Sequence, residues 1–179
     1  MRRAAAALAL LAVVIAPASA QSPPGKSPTC AAPEHRQFDF WIGTWDVANP
    51  AGKVVGHNWI ESALGGCALI EHWTGAGGVR GTSLNVYDRD RRKWHQTWVD
   101  STGGLLQLDG GVEGGAMVMT GDAVDKDAPS GVARQRITWT PQPGGAVRQR
   151  WESSSDGGKT WNVVFDGLYR RGAKPHTPR

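Results

Sequence analysis

Nine tryptophans are spread along this 179-residue chain, and seven of them recur in one setting: a short stretch that alternates with a period of two and ends at a Gly-rich turn. A period of two puts successive side chains on opposite faces of an extended strand. Repeated many times with short connections, it describes an antiparallel meander. So many large rings on one face cannot all be covered by a flat sheet. The pattern therefore predicts an all-β, antiparallel up-and-down β-barrel of about ten strands, of a size that can enclose a small molecule.

The predicted strands are 41–48, 53–62, 66–74, 79–88, 92–101, 104–110, 115–122, 132–140, 145–154 and 159–170. Gly and Pro separate them, as in Gly75-Ala76-Gly77-Gly78 and Pro141-Gln142-Pro143-Gly144-Gly145. A short helical turn is expected over Glu34–Phe40, with Phe38 and Phe40 plugging one end of the body. The 122–131 connection is the longest expected.

The faces can be assigned strand by strand. Leu69, Glu71 and Trp73 oppose Ile70 and His72. Trp94, Gln96, Trp98 and Asp100 oppose His95, Thr97 and Val99. Gln135, Ile137 and Trp139 oppose Arg134 and Arg136, while Val147, Gln149 and Trp151 oppose Arg148 and Arg150. Trp161, Val163, Phe165, Gly167 and Tyr169 share one phase. The face with the rings also carries Glu71, Gln96, Gln135 and Gln149. A solid core needs a partner for each of these polar groups, whereas a partly solvated cavity accepts them. The candidate ligand-binding residues are Trp73, Trp98 and Trp151 as stacking surface and Glu71, Gln96 and Gln149 as polar anchors. Ser83 and Asn85, in phase on the fourth strand, are added to them.

The first twenty residues read as an export signal. Arg2 and Arg3 precede the uncharged apolar run Ala4–Ala16, and Ala18-Ser19-Ala20 is a small-x-small cleavage site. Residues 21–33 form a Pro-rich arm, 34–171 one domain, and 172–179 a basic tail. The expected address is periplasmic or secreted. No second apolar stretch is long enough to cross a bilayer as a helix, so no membrane association is expected once the signal is removed. Loss of Arg2 and Arg3 takes 20 basic residues to 18 against 16 acidic ones, a net charge of +2. That balance, with acids interleaved in the basic run Arg89–Lys93, gives no reason to expect nucleic acid as a partner. Two cysteines in an exported chain predict one disulfide, Cys30 with Cys67, which would staple the arm to the body.

Other chemistries find little support. The five histidines form no ligand motif, and His72 and His95 fall on the face opposite the rings, so neither metal nor haem is expected and no cofactor is implied. There is no G-x-S-x-G, H-E-x-x-H or phosphate loop. Glu71 and Asp100 share the ring-bearing phase, and two inward carboxylates could do acid–base chemistry, but the favoured reading is that each is paired with an inward Arg, amide or Trp N–H. Ser154-x-Asp156-x-Gly158-x-Thr160-Trp161 matches the Asp-box turn of sialidase propellers, but a single copy reads as local hairpin chemistry.

Gly43-Thr44-Trp45, after a helical entry and at the start of the first strand, resembles the G-x-W opening of lipocalins and their calycin relatives. The resemblance implies that Trp45 packs across a closed barrel end and that an Arg of the last strand, Arg170 or Arg171, covers it. Over residues 35–171 the chain is similar to a bacterial lipocalin-like family without an assigned activity. The matching residues are Phe38-Asp39-Phe40-Trp41-Ile42-Gly43-Thr44-Trp45, Gly66-Cys67, Glu71 with Trp73, Tyr87-Asp88, Lys93-Trp94 with Gln96 and Trp98, and Ser155–Trp161.

The leading expectation is an exported barrel that binds a small, partly apolar molecule. One alternative is an enzyme that uses the same cavity, with Glu71 as acid or base. Another is a filled barrel acting as a structural or interaction module. The sequence leaves the oligomeric state open.

Overall fold

The computed structural model describes residues 30–172. The expected export signal (1–20), most of the Pro-rich arm and nearly all of the tail lie outside the described residues. Two short 3-10 turns, Pro33–Arg36 and Asp39–Trp41, lead into ten strands. These are β1 (Gly43–Ala48), β2 (Val54–Ala63), β3 (Ala68–Gly75), β4 (Arg80–Asp88), β5 (Lys93–Asp100), β6 (Leu105–Glu113), β7 (Ala116–Val124), β8 (Val132–Pro141), β9 (Val147–Ser154) and β10 (Asn162–Arg171). Each strand pairs antiparallel with its neighbours in sequence, and β1 closes on β10 with Trp45 opposite Arg171 and Ala48 opposite Leu168. The result is a closed up-and-down barrel, which leaves no unpaired sheet edge.

The alternating direction of the strands sorts their connections between two ends. The 3-10 turns, the start of β1, the end of β10 and the β2–β3 connection lie at one end. The β1–β2, β3–β4, β5–β6, β7–β8 and β9–β10 connections surround the other. The first end is filled. Phe38 and Trp41 are fully buried, stacked at 4.9 Å, and meet Trp94, Trp139 and Tyr169 from β5, β8 and β10. Rings of this kind each bury some 150–250 Å² and prefer the edge-on and tilted geometries found here. Phe40 is only partly buried and packs against this cluster.

The Gly43-x-Trp45 signature has a direct steric reason. The Arg171 guanidinium lies over the Trp45 ring, 3.9 Å from its centroid, and Nη1 donates to the Ile42 carbonyl at 2.7 Å. That guanidinium occupies the space a Cβ at Gly43 would need, and Gly43 has φ +142°. Arg171 is therefore the covering residue, and Arg170 is exposed on the outer face. The Trp45 indole N–H donates to the Trp41 carbonyl at 2.9 Å, tying the plug to the first strand.

The disulfide pairs Cys30 with Cys67 across a sequence separation of 37. A loop of that length is worth about 4 kcal/mol in the chain-entropy description. Arg36 reinforces the staple by donating to the Gly66 carbonyl.

Several boundaries differ from the sequence reading. The first strand begins at Gly43, because Trp41 and Ile42 spend their amides on Phe38 and Asp39 in the 3-10 turn. β6 and β7 run longer than expected. They are joined by Gly114-Gly115 alone, both at positive φ, the backbone that a two-residue hairpin requires. The β7–β8 connection, 125–131, is no longer than the β9–β10 connection, 155–161. The largest change is in the last strand. β10 starts at Asn162, and a bulge between Val163 and Phe165 shifts its phase. Phe165, Gly167 and Tyr169 keep the inward phase. Trp161 and Val163 lose it. Trp161 packs outside beneath Arg136, 4.0 Å from ring centroid to guanidinium carbon.

The Asp-box segment is the hairpin turn of that connection. Asp156 accepts from the Thr160 amide and hydroxyl, the Ser154 hydroxyl and the Lys159 amide, and these bonds hold its carboxyl below the ordinary range.

Candidate ligand cavity

Above the plug the barrel is hollow. A cavity of about 210 Å³ is lined by Glu71, Trp73, Gln96, Trp98, Leu106, Ile137, Gln149, Trp151, Val164, Phe165 and Tyr169. Trp73, Trp98, Trp151 and Phe165 are half-buried near the ends of their strands and form a collar around the mouth. Glu71, Gln96, Gln149 and Tyr169 lie deeper, toward the plug.

Glycine on the inner wall sets the pose of the collar. The Trp73 ring lies across Gly56 of β2, and the Trp98 ring lies across Gly81 of β4, in each case where a Cβ would sit. Phe165 covers Gly167 two residues along its own strand. The rings therefore lie back against the wall and leave the centre of the barrel open. Hydrogen bonds fix two of them further. Trp98 Nε1 donates to Asp100 at 3.2 Å, and Trp151 Nε1 donates to Gln135 Oε1 at 2.7 Å.

The floor is one connected polar network. Gln96 Nε2 donates to Asn85 Oδ1 at 2.7 Å, Asn85 Nδ2 to Ser83 Oγ at 2.9 Å, and Ser83 Oγ to Glu71 Oε2 at 2.6 Å. From the other side Asn58 Nδ2 donates to Glu71 Oε1 at 2.6 Å and lies 3.5 Å from the Tyr169 hydroxyl, which donates to Gln149 Oε1. Both arms converge on Glu71, where the Ser83 and Asn58 donors end. Period two explains the assembly. Asn58, Glu71, Ser83, Asn85 and Gln96 occupy adjacent inward positions on β2 to β5, so register alone brings them within reach.

Electrostatics single out Glu71. It is 4% exposed, and burial pushes its carboxyl above the ordinary glutamate range, against the hydrogen bonds from Ser83 and Asn58 that favour the anion. Burial, and then the proximity of Glu71, raises the Tyr169 phenol well above its ordinary value, so it stays protonated. The cavity lining has no Lys, Arg or His to neutralise Glu71.

Six of the eight residues singled out from sequence, Glu71, Trp73, Gln96, Trp98, Gln149 and Trp151, meet at this cavity. Ser83 and Asn85 do not line it; they are fully buried behind Glu71 and Gln96 and orient them. Asp100 is paired as expected, in part with the Trp98 indole N–H, and does not join Glu71 as a second carboxylate in the cavity. The Thr102 hydroxyl and amide, with the Gly104 amide and the Trp98 indole, engage it in the β5–β6 turn and hold its pKa at about 2. Sequence reasoning missed Asn58 and Tyr169. Asn58 alternates with the outward pair His57 and Trp59, a signal that was present. The outward His72 and His95 each bond a carboxylate on the outer wall, Glu61 at 3.0 Å and Asp109 at 2.9 Å. Among the described residues no helix is long and apolar enough to cross a membrane.

No protein-family model matches the chain, and no curated protein matches it.

Proposed function

We propose that the protein is an exported, lipocalin-like barrel that binds a small, partly apolar molecule in the tryptophan-collared cavity. One observation carries the reading: an open, ring-lined space of about 210 Å³ whose floor is polar and already organised by its own hydrogen bonds. For scale, an apolar cavity of ~150 Å³ holds benzene. A barrel filled by its own side chains would have no such space, so the interaction-module reading is the weaker one. The Cys30–Cys67 disulfide supports export, since such bonds persist in oxidising compartments. The lipocalin-like relationship is supported by the placement of Trp45 under Arg171 at the closed end.

A second reading has one observation in its favour. A carboxyl whose pKa is raised by burial in a cavity is suited to proton transfer, so Glu71 is the candidate acid or base of an enzyme at this site.

Tryptophan emission tests the binding reading. Three indoles line the cavity, so titration with a panel of single-ring compounds is expected to shift emission saturably for at least one. A flat response across the panel would overturn it. Glu71→Gln separates the two readings: loss of turnover with retained binding favours catalysis.

A further inference from the structure

The cavity contains an imbalance of charge. Glu71 is the one carboxyl among its lining residues, which include no Lys, Arg or His, and it lies almost fully buried. An O–H from Ser83 and an N–H from Asn58, each at 2.6 Å, point at its two oxygens and favour the carboxylate, while burial works against it. Asn58 Oδ1, on the side chain that donates to Glu71, is buried without a partner. Gln96 spends its amide N–H on Asn85, so its carbonyl end remains for the lumen. Residues 30–172 are close to neutral, with 15 Lys and Arg against 16 Asp and Glu, so the acceptor-rich character of the cavity is a local feature. An unpaired buried carboxylate is unfavourable, and an occupant that brings the opposite charge removes that penalty. Trp73, Trp98, Trp151 and Phe165 complete the argument, since their rings form an apolar collar for the body of such an occupant.

Resting on the binding reading above, we propose that the cavity selects a compact organic ammonium ion, a primary or secondary amine with an apolar body of about one ring. Its N–H groups bond Glu71 and the Gln96 carbonyl, and its apolar body lies within the indole collar. The Gln149 side chain, whose carbonyl accepts from Tyr169, is left with its amide N–H groups to meet an acceptor on the ligand.

Three probes of nearly equal shape and different charge test this: benzylamine, benzyl alcohol and benzoate, titrated by calorimetry and tryptophan emission at pH 7.5. Benzylamine is expected to bind at least about tenfold more tightly than benzyl alcohol, the size expected of a charge-assisted hydrogen bond to a carboxylate, and benzoate most weakly. Glu71→Gln, with its fold checked by circular dichroism, is expected to reduce the amine-over-alcohol ratio to near one. The unmodified protein supplies a second measurement. Lowering the pH through the Glu71 titration is expected to weaken benzylamine and leave benzyl alcohol unchanged. Around Glu71, Asn58 of β2 and Ser83 of β4 do not titrate, and Tyr169 of β10 stays protonated. His72, next to it on β3, faces outward against Glu61. If alcohol or benzoate binds as well as the amine, the charge inference falls and the binding barrel stands. If no probe binds, both fall.

Discussion

The Trp98 indole on β5 lies flat across Gly81 on β4, filling the space that a side chain there would occupy. Trp73 stands in the same relation to Gly56. A ring that covers a glycine on the neighbouring strand is held against the wall and kept out of the lumen, so two backbone positions without side chains help to keep the cavity open.

Gly81→Ala is expected to push the Trp98 ring toward the centre of the barrel. Overpacking of this kind costs about 1–3 kcal/mol. The expected outcome is a lowered melting temperature together with loss of the emission response to any cavity ligand. Gly111→Ala on β6 is the control, because a Cβ there meets no atom within 4 Å. A Gly81→Ala protein that melts and binds like the Gly111→Ala protein would contradict this role.

Arg171→Leu removes both the cation over Trp45 and the donor to the Ile42 carbonyl. A charge-assisted hydrogen bond contributes about 1.5–3 kcal/mol and an exposed cation–π contact about 0.5–1 kcal/mol. Because Arg171 is exposed, the expected loss lies toward the lower end, about 1–2 kcal/mol in urea unfolding. Arg170→Leu is expected to change stability little, as nothing at the closed end depends on it.

Glu71 imposes a pH dependence whose sign follows from its raised pKa. Between the unfolded value, near 4.5, and the higher folded value, the folded state binds more protons than the unfolded one. Stability therefore falls as pH rises through that window. Below the window both states are protonated and Glu71 adds no penalty; above it the whole penalty of the buried anion is present. Thermal melts of the wild type and Glu71→Gln, taken from pH 4 to 8, are expected to diverge as pH rises, with the wild type losing ground. Parallel curves would show that Glu71 titrates normally in the fold.

Much of this architecture is legible in the residues. Where Gly and Pro break an alternating pattern, strand and face follow locally, and Glu71, Trp73, Gln96, Trp98, Gln149 and Trp151 were placed on the inner wall by parity alone. Parity failed at Trp161, because a bulge between Val163 and Phe165 inserts a residue into β10 and reverses the side on which everything before it lies. It was incomplete at Ser83 and Asn85, which have the inward phase but stand behind their neighbours. Asp100 shares the phase of Trp98, but it sits at a turn, where nearby backbone amides engage it first.

The order of residues by itself determined that this chain alternates, turns at its glycines and carries its rings and amides on one side, because side-chain direction in a strand is a property of neighbouring residues. Tertiary structure alone decided that the wall closes at β1 and β10, that Arg171 covers Trp45, and that two glycines hold indoles away from the axis. It also decided that hydrogen bonds from β2 and β4 meet at one carboxylate. Each of these depends on which distant residues come into register, and register is set by the packing of the whole barrel.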